Sequence, residues 1–131
     1  MLGCASYSES VDIWSIGCVL GELVETRAIF PGVSEIDQLF SIFAAMGTPT
    51  EASWPGVSKL PHFEEGKFPR FRQEEQQEEK ERAGGRARLG VEGQELMRGM
   101  LVCDPRCRIS ATEAVLRATR FRDAVQRDTP A

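Results

Sequence analysis

One stretch governs what this chain can fold into: Val11 to Val24, VDIWSIGCVLGELV. Wound as a helix, it sets Val11, Ile13, Trp14, Ile16, Cys18, Val19, Leu20, Leu23 and Val24 on every face of the wheel. A helix of that kind is expected to be buried all round. It is short for a membrane span and carries Asp12 and Glu22, so no membrane partner is expected. Ser8 stands where an N-cap belongs, Glu9 suits the first turn, and Pro31-Gly32 marks a turn beyond the end. The expectation is the central helix of an all-helical core. Asp12 is the odd residue, because a buried carboxylate is costly unless something hydrogen-bonds it. On the residues alone, two readings stand: it only complements the positive end of the helix, or a hydrogen-bonding partner holds it in a specific role.

At 131 residues the chain is expected to form one domain with its own core. A net charge of −4 with dispersed basic residues lacks the electrostatic footprint of a nucleic-acid partner. Met1-Leu2-Gly3-Cys4 is neither basic nor long enough for a signal peptide, and Gly3 is out of place for myristoylation. Cys4, Cys18, Cys103 and Cys107 form no CxxC pair, and His62 is the only histidine, so no zinc site is expected. Cys18 reads as a small hydrophobe, and reduced thiols fit an intracellular chain, in cytoplasm or nucleus.

Ser34-Glu35-Ile36-Asp37 has the form of a capping box, and Ile36, Leu39, Phe40, Phe43 and Met46 follow it at helical spacing. Gly47 and Pro49 end that helix. Trp54-Pro55-Gly56 predicts a packed turn, with the indole as anchor of its loop or, less simply, as a ligand platform. From Lys59 to Phe71 the chain is irregular, with Phe63, Phe68 and Phe71 available to pin it and His62 on the surface. Between Gln73 and Arg82 no apolar residue occurs, which predicts a solvated loop or frayed helix over 72–89. Glu74–Glu78 and Glu75–Glu79 repel at helical spacing, and Gly84-Gly85 breaks any helix.

Order is expected to return at Leu89. Leu96, Met97, Met100 and Leu101 make one apolar face, and Asp104-Pro105 stops the helix. Ser110 with Glu113 forms a second capping box, after which Ala114, Val115, Ala118 and Phe121 are expected to face inward.

Taken in order, the motifs VDIWSIGCVLGELVETRAIFPG, SEIDQLF, GTPTEASWPGV and LMRGMLVCDPRCRISATEAVL resemble the protein-kinase C-terminal lobe. The resemblance is to the cyclin-dependent branch of the CMGC group. It covers nearly the whole chain apart from the charged stretch and the last residues. It implies an all-α fold comprising helices F to I of the kinase lobe, with 47–71 as a CMGC insert. It also implies structural anchor roles for Asp12, Trp14 and Arg108. The Asp matching Asp12 holds the catalytic loop in that family, and the Arg matching Arg108 pairs with the Glu of an Ala-Pro-Glu motif. For Arg108 the plain alternative is a surface arginine. Glu35, Ile36, Asp37, Lys67, Phe68, Pro69 and Arg70 match a docking face for Cks-type adaptors, although the same phenylalanines serve equally to pack the loop. The usual His-Pro before the last aromatic is replaced here by Ala118-Thr119.

The 131 residues contain no GxGxxG, HRD, DFG or Ala-Pro-Glu motif. Those elements bind ATP and magnesium and position the reacting groups in kinases. No Ser-His-Asp or Cys-His set assembles around His62. The expectation is a partial kinase domain over 1–131 with no catalytic residue and no cofactor of its own. ATP and magnesium belong to the full-length parent, and a cyclin is a partner only through parent segments. Three readings stand together: a piece of a cyclin-dependent-like serine/threonine kinase, a binding module docking an adaptor or regulator, or a decayed copy.

Overall fold

Ser8 has extended backbone, and its carbonyl accepts the amide of Val11 at 3.0 Å, which starts helix α1 (Glu9–Glu25). Its hydroxyl bonds Ser10 Oγ at 2.6 Å and leaves the helix amides uncapped, so Ser8 is an N-cap by backbone alone. Thr26 ends α1 in the left-handed region, at φ 57°. The computed structural model describes residues 1–3, 8–72 and 89–130, and within them the fold is all-helical, with four α-helices and no strand.

Helix α1 is not buried all round. Ile13, Gly17 and Gly21 are buried, and Trp14, Leu20 and Val24 pack half-buried against the core. Val11, Ile16, Val19 and Leu23 are 42–74% exposed on the opposite arc. The reason is geometric: two later helices approach one side of α1, and no described element covers the other. Gly17 permits the close approach, since a Cβ there would sit 2.8 Å from Met100 Cβ.

Helix α2 (Glu35–Met46) starts at Ser34, whose hydroxyl accepts the Asp37 amide at 3.2 Å. The returning bond of the box falls one residue early, because Val33 N–H donates to Asp37 Oδ2 at 3.1 Å. Leu39, Ile42 and Phe43 are buried, whereas Ile36, in register with Phe43 but in the first turn, is 59% exposed. Gly47 caps the end with φ 87°.

The segment after α2 is a closed loop built without regular secondary structure beyond one 3₁₀ turn, Val57–Lys59. Thr48 closes it: its N–H donates to Phe71 O at 3.1 Å, its hydroxyl donates to Pro69 O at 2.6 Å, and Phe71 N–H donates back to Thr48 Oγ1 at 3.1 Å. Phe63 and Phe68 are buried and stacked at 6.0 Å, and Phe68 meets Phe43 edge-on at 5.0 Å. Phe71 is half-buried, the Trp54 side chain packs half-buried against the core, and the Trp54 backbone N–H donates to Thr50 O at 2.7 Å. The charged stretch predicted over 72–89 lies outside the described residues except at its ends, Arg72 and Leu89.

Leu89 is buried and leads into α3 (Gly90–Met100), whose Leu96, Met97 and Met100 face the core together with Leu101. Helix α4 (Ala111–Asp128) is capped by Ser110, which accepts the Glu113 amide at 3.2 Å. Glu113 does not reach back to Ser110; it binds Arg117 Nε at 2.7 Å. The inward stripe of α4 is Ala114, Arg117 and Phe121, while Val115 is 66% exposed and Ala118 is exposed. The expectation that Val115 and Ala118 face inward is therefore corrected: the stripe runs at i, i+3, i+7 through the arginine stem.

Helices α3 and α4 form the most extensive pair, and α1 lies across both. The core has two parts. A small cluster of Ile13, Leu96, Met100 and Ala114 joins these three helices. A larger one, around Phe43 and Val57, gathers α2, the closed loop, Phe30, Leu89 and Leu101.

Candidate functional site

Four residues after the end of α3 the chain places Asp104, and four further on Arg108, in a loop that the sequence marks with Pro105. Asp104 is only 3% exposed. Its carboxylate accepts Arg106 N–H and Nε at 3.0 and 3.1 Å through Oδ1, and Arg106 Nη2 at 3.0 Å through Oδ2. That guanidinium, hydrogen-bonded directly, is the main reason the carboxyl is held below its ordinary range. Arg106 Nη2 also donates to Pro55 O at 2.6 Å, so the loop is clamped to the turn beside Trp54.

Arg108 is half-buried and spends its donors on carbonyls. Nε and Nη2 reach Val102 O at 3.0 and 2.7 Å, and Nη1 reaches Ser10 O in the first turn of α1 at 2.5 Å. Its Cζ lies 5.0 Å from the Trp14 ring, within cation–π range. Trp14 in turn stacks on Phe30 at 5.5 Å and 11°. Burial lowers the Arg108 pKa from its ordinary value. Burial likewise pushes the neighbouring thiols of Cys18 and Cys103 up to about 11, which keeps both protonated and unreactive at neutral pH.

Of the three expected anchors, Trp14 and Arg108 come together, and Asp12 does not join them. Asp12 is exposed on the arc of α1 opposite Trp14, and among the described residues it makes no ion pair. It is thus not a buried carboxylate here: the side of α1 on which it stands is the uncovered one.

Trp14, Arg108, Leu39, Phe43 and Trp54 line a groove of about 550 Å³ between α1, α2 and the closed loop. Its polar lining is Ser8, Ser10, Glu35, His62 and Arg108. The two described hydroxyls in it, Ser8 and Ser10, bond each other at 2.6 Å. Among the described residues no group of three or more His, Cys, Asp or Glu converges as metal ligands would. His62 is exposed, with its backbone N–H on Leu2 O at 3.3 Å.

The residues matched to a docking face divide by burial. Glu35, Ile36 and Asp37 stand exposed in the first turn of α2, and Lys67, Pro69 and Arg70 are exposed on the closed loop. Lys67 pairs with Glu64 at 2.6 Å, and the Asp37 carboxylate is engaged by Val33 N–H. Phe68 is buried against Phe40 and Phe43 and presents no ring to a partner.

Sequence reasoning missed two polar fixtures. One is the Asp104–Arg106 clamp, for which Asp-Pro-Arg was a turn signal without an indicated target. The other is Glu51, whose carboxylate takes the Ser58 hydroxyl, Ser58 N–H at 3.0 Å and Gly56 N–H at 2.8 Å. These bonds, the Ser58 hydroxyl foremost, bring the Glu51 pKa from an ordinary 4.5 to about 2.

With this geometry in place, comparison with family models matches the chain to the protein kinase domain over residues 1–118. The chain belongs to the protein kinase domain family. In this kinase-family chain the matched stretch takes in α1, α2, the closed loop, α3 and the first part of α4. The all-helical content agrees with the helical lobe of such a domain. The matched stretch also takes in Trp14, Arg108 and the groove they line.

Proposed function

We propose that this chain is the post-activation-segment part of a cyclin-dependent-like serine/threonine kinase, and that alone it transfers no phosphate. Supporting the subgroup is the ordered run of motifs from VDIWSIGC through SEIDQLF and TPTEASWPGV to DPRCRIS. The observation that carries the non-catalytic part is that 131 residues hold no nucleotide-cradling glycine loop and no HRD or DFG aspartate. On this reading the parent moves the γ-phosphate of magnesium-bound ATP to protein Ser or Thr, inside the cell, in cytoplasm or nucleus. The present residues support that lobe: the Trp14–Arg108 contact ties α1 to the α3–α4 loop.

The test is direct. The chain is incubated with magnesium and γ-labelled ATP together with a mixed protein substrate, and nucleotide binding is followed by calorimetry. No transfer above background and no heat of binding are expected. Saturable ATP binding or transfer lost on heating the chain would overturn the non-catalytic reading. Sequencing the 5′ end of the native transcript addresses the parent. An upstream frame with the glycine loop, HRD, DFG and Ala-Pro-Glu is the expected result.

A second reading is an adaptor-docking module, favoured by the 59% exposure of Ile36 at the start of α2. Capture of a Cks-type adaptor, lost in Ile36→Asp or in the Lys67→Glu, Arg70→Glu pair, supports it. Phe68 is unsuitable as the probe because its replacement removes core. Capture unchanged by those exposed substitutions, or absent altogether, removes this reading.

A further inference from the structure

We draw no further inference here: the strongest candidate, the outward apolar face of α1 formed by Val11, Ile16, Val19 and Leu23, has nothing in the structure to show what covers it.

Discussion

Asp104 and Arg108 illustrate how two polar residues of one short loop are accommodated by different means. Asp104 is taken out of water and meets a guanidinium two residues away, along with two backbone-derived constraints: its own carbonyl holds Cys107 N–H at 3.0 Å, and Oδ1 holds Arg106 N–H. Arg108 meets carbonyl dipoles and an aromatic face, with no carboxylate among its hydrogen-bond partners in the described residues. Truncating the buried Asp104 carboxylate forfeits its own hydrogen bonds, at about 1–3 kcal/mol, while the exposed Arg106 guanidinium returns to water. Asp104→Ala is therefore expected to lower the unfolding free energy from urea titration by that amount, with a correspondingly lower midpoint, and Asp104→Asn, which keeps an acceptor for Arg106 N–H, by less. An Ala variant unfolding at the wild-type midpoint would mean that the clamp contributes nothing. Arg108 stood out in the sequence because it falls within a recognisable motif, but the carbonyls and the Trp14 ring that it meets were not indicated there. Asp104 was read only as a helix stop, since neither its burial nor its reach to Pro55, through Arg106, follows from local spacing.

At the level of elements, the closed loop after α2 is held by polar bonds as well as by Phe63 and Phe68, and one of those bonds titrates. The Glu51 carboxylate has its pKa lowered on folding, so its contribution is present in full above the ordinary 4.5 and is lost as pH falls towards about 2. In NMR spectra of the folded chain the amide resonances of Gly56 and Ser58 are expected to shift together as pH approaches about 2, where the folded carboxyl takes its proton, and Glu51→Gln is expected to abolish the coordinated shift. Independent movement of the two amides would separate them from Glu51. The helices themselves were largely readable. Both Ser-x-x-acid boxes do place a serine cap at a helix start, though only half of each box forms as expected. What the pattern concealed was orientation. Helix α1 is apolar on all faces, so its sequence cannot say which arc the chain will cover. On α4 the stem of Arg117 fills an inward position, with its Nε paired to Glu113, and a charged residue hides that stripe from a hydrophobic count.

For the molecule as a whole, the two core clusters lie on one side of α1, and its outward arc leaves four large aliphatic side chains in water. Contiguous exposed apolar surface promotes association, whatever the specific partner. Val19→Lys with Leu23→Lys is expected to raise the concentration at which light scattering appears, with no fall in the thermal midpoint. A drop in that midpoint would show that the arc is in fact packed. The Thr48 clasp has a different kind of consequence. Because its bonds to Pro69 and Phe71 finish the loop before residue 72, the chain leaves the loop from a fixed point, and Leu89 re-enters at another fixed point in the core. A break in the Thr48 clasp would therefore loosen the exit of the chain at Phe71 without touching its re-entry at Leu89, which is held by burial in the core.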